Sequence, residues 1–304
     1  MNKKNVVILA TGGTIAGVGE PGKNTGYVSG QISATELVSA IPELNAIANI
    51  SVEQVCNVNS DDITGAIWLQ LRKRIAELLP HVDGIVVTHG TDTMDETAFF
   101  LALTIKTDKP IVLTGAMRPA TADEPDGPAN LCGAVEVASA SRSGGVFVYF
   151  GRLLFDAKLV QKNSASDLQP FGNCYPGNGA LVFPMTSPVP FFDVSACTEL
   201  PKVNIVYFAV DSDPRMLECA ANISDGVVIA GAGSGEFSQK FAEALAKVKI
   251  PVVVATRTNH GMVTLNTQLA PNALCAGFYP PQKAAVLLKL ALATNQLDVF
   301  KQFC

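Results

Sequence analysis

Short runs of aliphatic and β-branched residues recur along the first half of the chain. They cover 6–10 (Val6-Val7-Ile8-Leu9-Ala10), 52–58, 85–88, 111–114 and 145–150. Several are apolar throughout rather than alternating, which predicts strands buried on both faces, the habit of parallel sheets. Between them the apolar spacing lengthens to that of helices. One opens at the capping box Ser33-Ala34-Thr35-Glu36 and runs towards Ile41. Others run from Trp68 to Leu79, from Met94 to Ile105, and through Leu131, Val135 and Ala138. From Asn173 to Pro201 proline and glycine crowd together, and a shorter series follows. Its strands fall at 203–208, 226–230 and 252–255, with helices near 214–221, 237–248 and 282–293. The alternation predicts an α/β fold. A large N-terminal α/β domain with a mostly parallel sheet spans 1–185, a linker 186–201, and a smaller C-terminal α/β domain 202–304.

Composition narrows the function. Charged residues make up 16%, hydrophobic ones 48%, and the net charge is −5 with no basic cluster. Nucleic-acid binding, which demands concentrated Lys and Arg, is not expected. No apolar run reaches the ~18 residues of a membrane-spanning helix. The chain enters its first strand without an apolar signal core, and its seven cysteines are scattered with no C-x-x-C pair. Both point to a cytoplasmic protein with reduced thiols and no zinc site.

Candidate chemistry gathers where strands end. Thr11-Gly12-Gly13-Thr14-Ile15-Ala16-Gly17 follows the first strand, presenting exposed backbone N–H groups and then a hydroxyl. Its G-G-x-x-x-G spacing misses the dinucleotide fingerprint, and the turn Gly231–Gly235 lacks a P-loop lysine. A glycine-punctuated run from Gly17 to Gly30 carries a single aromatic, Tyr27, the composition of a lid or of an ordinary surface loop. A second turn, His89-Gly90-Thr91-Asp92-Thr93-Met94, places a hydroxyl beside a carboxylate. Thr91, Asp92 and Thr93 read equally as helix caps. In an open α/β sheet, however, ligands bind outside the carboxyl ends of strands. Asn59-Ser60-Asp61-Asp62 is a third such turn, one of whose polar residues is expected to cap the helix after it. His89, at a strand end, is expected to be a satisfied structural histidine. Lys162, in the polar stretch 156–168 of an otherwise apolar chain, is costly to bury unless paired and so hints at function.

Together, Thr-Gly-Gly-Thr-Ile-Ala-Gly and His-Gly-Thr-Asp-Thr-Met resemble the signatures of the bacterial-type L-asparaginase / glutaminase-asparaginase family, closest to its type II branch. Gly115-Ala116-Met117-Arg118-Pro119, Asp126-Gly127-Pro128 and Pro281-Gln282-Lys283 match further family segments. The resemblance covers nearly the whole chain. It implies a homotetramer of two-domain subunits with active sites at subunit interfaces. It also implies hydrolysis of the side-chain amide of L-asparagine, variably of L-glutamine, without metal or organic cofactor. Thr14 then corresponds to the nucleophile and Tyr27 to the lid tyrosine that activates it. Thr91 and Lys162 correspond to the second threonine and its lysine, and Ser60 and Asp92 to the holders of the α-carboxylate and α-ammonium. A covalent route needs a hydroxyl whose proton something takes. Backbone N–H groups near Thr91 and Ala116 would serve the oxyanion, and the glycine backbone, Gly90 included, would help bind the substrate. The chain departs from the family pattern at Asp61, at Ser234, where the neighbouring subunit often offers asparagine, and at Gln268. The positions of a disulfide found in exported members fall on Leu79 and Thr107. Two other readings remain: a non-catalytic amino-acid binder or sensor, which would need only Ser60 and Asp92, and the related ammonia-feeding amidotransferase subunit, for which no basic RNA-binding surface is visible.

Overall fold

A computed structural model describes residues 3–23, 25–140, 144–174, 190–263, 270 and 272–303. The chain divides into two compact units, 1–173 with 179–185 and 174–178 with 186–304. The boundary expected at 185–186 lies outside the described residues.

The first unit is built on a six-stranded sheet. In chain order its strands are β1 (Asn5–Gly12), β2 (Asn49–Val58), β3 (Gly84–Thr88), β4 (Pro110–Thr114), β5 (Gly145–Phe150) and β6 (Leu153–Asp156). In space they run β2-β1-β3-β4-β5-β6. All neighbours are parallel except the antiparallel edge pair β5–β6. Strands β3 and β4 are buried at every residue, as their unbroken apolar runs require. Edge strand β2 instead alternates between exposed and half-buried positions. The helices are α1 (Ala34–Ser39), α2 (Leu44–Ile47), α3 (Gly65–Leu78), α4 (Met94–Thr104) and α5 (Gly127–Ser139). Residues of α1, α2 and α5 share one core with Val6, Ile8, Val86 and Val112. The alternate strand residues, Leu9, Val87 and Leu113, are equally buried and turn to the opposite face. A hairpin of β7 (Val160–Lys162) and β8 (Phe171–Asn173) completes the unit.

Several local expectations hold. Ser33 and Glu36 form the reciprocal capping box that starts α1. Helix α3 buries Trp68, Leu71 and Ile75 along one stripe. Helix α4 is buried at nine of its eleven residues, so its packing on both sides, not amphipathicity, defines it. One expectation fails. Ser60–Asp62 does not cap α3; it forms its own 3-10 turn, and Thr64 accepts the N–H of Ile67 instead. The short strands β6, β7 and β8 were not legible as strands because three- and four-residue pairings carry too little period-2 signal.

The second unit holds β9 (Val203–Tyr207), β10 (Gly226–Gly231), β11 (Val252–Thr256) and β12 (Leu274–Cys275) in the all-parallel order β12-β11-β10-β9. Helices α6 (Arg215–Asn222), α7 (Gln239–Leu245) and α8 (Pro281–Ala293) accompany them. Among the described residues no helix is long and apolar enough to cross a membrane.

Candidate active site

Strand order decides where a site can form. Chain connections leave the sheet in opposite directions from β1 and β3, so a crevice opens between the carboxyl ends of these two neighbours. Gly12–Thr14 ends β1, and His89–Asp92 ends β3.

At the first turn Gly12 and Gly13 both have left-handed φ, 106° and 82°, and Thr14 opens a 3-10 turn. The following loop folds back through a bridge between Val18 and Val28. This return lays Tyr27 against Gly17 and Gly19, where a Cβ would meet its atoms at 2.8 and 2.9 Å. The Tyr27 hydroxyl then sits 2.8 Å from Thr14 Oγ1. Thr121 anchors the loop, accepting the Gly19 N–H at its hydroxyl and the Gly22 N–H at its carbonyl. At the loop's far end Asn57 Nδ2 donates to the Gly30 carbonyl.

At the second turn none of the polar residues is used as a cap. Thr93 occupies the N-cap position of α4 but makes no cap bond; its hydroxyl donates to the Ser60 carbonyl, 2.7 Å away. The Asp92 N–H donates to Ser60 Oγ at 3.3 Å, which seats the buried Ser60 against this turn. Lys162, at the end of β7, reaches across to donate to Thr91 Oγ1 at 2.9 Å and Asp92 Oδ1 at 2.5 Å. Its side chain is only 13% exposed, whereas that of Asp92 is 63% exposed. The lysine is therefore held inside, and the carboxylate still offers an oxygen outward.

Contact between the turns is direct. A methyl group on Gly13 would lie 2.5 Å from Gly90 N and 2.6 Å from Gly90 Cα. One on Gly90 would lie 2.8 Å from Ser60 Oγ. Only glycines let the three strand ends close to this distance, and Gly13 also needs its positive φ. Thr14 with Tyr27 and Thr91 with Asp92, Lys162 and Ser60 thus belong to one cleft of the first unit. Asp61 is exposed on the Ser60 turn. Ala116 is buried in the core cluster with Ile15 and Leu131. Ser234 belongs to the second unit, in the turn after β10, and Gln268 lies outside the described residues.

Behind the cleft, Met117 and Asp126 lie in segments that match the family but had no role assigned from the sequence, and Asn130 was not singled out. Asp126 accepts the N–H groups of Met117 (3.0 Å) and Arg118 (2.9 Å). Asn130 Nδ2 donates to Asp126 and to the Gly115 carbonyl. These amides are consequently engaged and not open to an oxyanion. Met117 carries its sulfur to 3.5 Å from Thr91 Oγ1. His89 is fully buried, and desolvation lowers its pKa to about 4. Its Nδ1 lies 2.7 Å from the Gly90 carbonyl, which can only accept, so Nδ1 carries the proton. Nε2 accepts from Thr97 Oγ1 at 2.9 Å, and Thr97 accepts from Trp68 Nε1 at 2.8 Å. His89 is a structural histidine that fixes the carbonyl of the second turn. Among the described residues no three His, Cys, Asp or Glu side chains converge as a metal site requires.

Two domain families match the chain: "Asparaginase, N-terminal" over residues 5–182 and "Glutaminase/Asparaginase C-terminal domain" over residues 202–300. The chain belongs to the asparaginase family. It is 41% identical to L-asparaginase 2 of Escherichia coli K12 over 313 residues, 96% of this chain and 90% of that one. It is 39% identical to a probable periplasmic L-asparaginase of Haemophilus influenzae, over 98% of this chain and 92% of that one. The crystal structure of a probable cytoplasmic L-asparaginase from Campylobacter jejuni superposes with a TM-score of 0.88 at 37% identity, covering 99% of this chain and all of that one. At Leu79 and Thr107, where exported asparaginases can carry a disulfide, Lys109 Nζ instead donates to the Leu79 carbonyl at 2.5 Å. Among the described residues Cys56, Cys132, Cys197, Cys219 and Cys275 are free thiols.

Proposed function

We propose that this chain is an L-asparaginase that hydrolyses the side-chain amide of L-asparagine to L-aspartate and ammonia, with some action on L-glutamine. The observation that carries this is the contact of two hydroxyl-bearing turns, one paired with a phenol and the other with a lysine–carboxylate couple. In this reading Asp92 takes the substrate's ammonium, and Ser60 with the glycine backbone takes its carboxylate. The amide carbon then lies between Thr14 and Thr91. Thr14 Oγ attacks it while its proton passes to the Tyr27 oxygen and the phenol's own proton passes on to the amide nitrogen, which leaves as ammonia. Water then cleaves the acyl–threonine ester: the proton it loses passes through Thr91, whose oxygen Lys162 holds by an N–H, and one proton returns to Thr14 Oγ. Ser234 would contribute to a neighbouring subunit's site in a cytoplasmic homotetramer. Sedimentation of the purified protein as a monomer would rule out that interface role. Thr14→Ala and Thr91→Val should each lower ammonia release by at least ~100-fold, the scale for losing a nucleophile or its relay. Full turnover of asparagine by either variant would end this reading.

A further inference from the structure

A threonine hydroxyl has one proton to give and two lone pairs to receive. At Thr91 the partner at 2.9 Å is Lys162 Nζ, which also lies 2.5 Å from Asp92 Oδ1. The ammonium of a lysine has donors only and no lone pair to receive a proton. It gives one N–H to Asp92 and one to Thr91, so the proton of Thr91 must point elsewhere. The atom in that direction is Met117 Sδ at 3.5 Å. We propose that Met117 is a positioning residue for amide hydrolysis: its thioether receives the Thr91 proton and so turns an oxygen lone pair of Thr91 towards Lys162.

The sulfur is placed to do this. Met117 sits on the turn after β4, and Asp126 grips that turn by the N–H groups of Met117 and Arg118. Asn130 ties Asp126 to the Gly115 carbonyl on the other side of Met117. An otherwise flexible side chain thus starts from a fixed backbone. Weakness is what suits a thioether here. It accepts a hydroxyl proton poorly. It orders the hydroxyl in the resting site, yet yields the proton when a substrate or water oxygen arrives as a better acceptor. A carboxylate in its place would hold the proton, and an aliphatic group would leave it undirected.

The inference rests on the relay role proposed for Thr91, and the test separates the two. In the full-length protein, Met117→Leu keeps the volume and removes the acceptor, whereas Met117→Gln restores an acceptor at similar reach. Met117→Leu should lower kcat for asparagine about tenfold, the effect of a Thr91 hydroxyl that one hydrogen bond no longer orients beforehand, with KM within about twofold. Met117→Gln should recover kcat to within about threefold of wild type. The solvent deuterium isotope effect on kcat should change in the Leu variant and return in the Gln variant. Added to Thr91→Val, Met117→Leu should cost nothing more. Wild-type kcat in Met117→Leu, or equal loss in the Leu and Gln variants, overturns the positioning role while leaving that of Thr91 intact. Full activity of Thr91→Val overturns both. Should the Leu variant fail to fold, the Gln variant decides alone, since an inactive but folded Gln protein contradicts the proposal.

Discussion

Acidifying the protein from pH 7 to pH 5 should destabilise its first unit by about 2 kcal/mol through His89 alone. The ring is fully buried, and desolvation holds its pKa at about 4 although the hydrogen bond to the Gly90 carbonyl pulls the other way. An unfolded chain returns it to about 6.5. Between these values the unfolded state binds a proton that the folded state refuses, so stability must fall as pH falls. The stabilisation is fully present above about pH 6.5 and is lost on the way down to pH 4. Linkage gives a loss of about 2 kcal/mol by pH 5 and about 3 kcal/mol by pH 4. Trp68 is the only tryptophan and donates into the same network, so its fluorescence reports this unit's transition. Urea denaturation of wild type and His89→Gln at pH 7 and pH 5 isolates the histidine, because every other titrating group is common to both. The wild-type midpoint should fall by roughly 1 M more than the variant's, for a slope of ~2 kcal/mol per molar urea. Equal losses in the two proteins would refute the reasoning and place the proton elsewhere.

Two further perturbations address the cleft. Gly13→Ala forces a methyl group to 2.5 Å from the Gly90 backbone at a φ of 82°. It should destabilise the unit by about 1–3 kcal/mol in urea titrations and sharply lower ammonia release, whereas wild-type behaviour would show that the turns need not touch. Asp126→Ala strips the Met117 and Arg118 amides of their acceptor. It should cost about 2–3 kcal/mol and lower kcat more than it raises KM; unchanged stability would show that the turn after β4 needs no such brace.

What the sequence disclosed depended on how local each signal was. Unbroken apolar runs such as Ile85-Val86-Val87 announce buried parallel strands, because nothing but a two-sided core tolerates them. The Ser33–Glu36 box is equally local and formed as read. Lys162 was legible only as a residue too costly to bury alone. That its partner would be Thr91 followed from resemblance to the asparaginase family, since Lys162 meets Thr91 and Asp92 through a hairpin of β7 and β8 that no periodicity announced. Met117 and Asp126 stood within segments that match the family but carried no role of their own, and Asn130 left no mark. A thioether, an aspartate before Gly-Pro and an asparagine in a helix look ordinary until the fold brings them to one turn.

Ser60 shows why polar turns resist reading from sequence. Counting donors along Asn59-Ser60-Asp61-Asp62 assigns one of them to the next helix, because an uncapped N-terminus leaves amides unsatisfied. The chain meets that demand later, at Thr64, and α4 begins without a side-chain cap at Thr93. Ser60, Thr91 and Asp92 are thereby released from structural duty and take partners across the crevice between strand ends. Asp95 and Glu96, in the first turn of α4, supply the negative charge that the helix dipole favours there. The exposed Asp92 carboxylate need not serve that end. In the proposed reading the cleft binds an amino-acid zwitterion with groups that helix capping has left unused, and the residues that free them lie a few positions away, where composition alone makes all of them look alike.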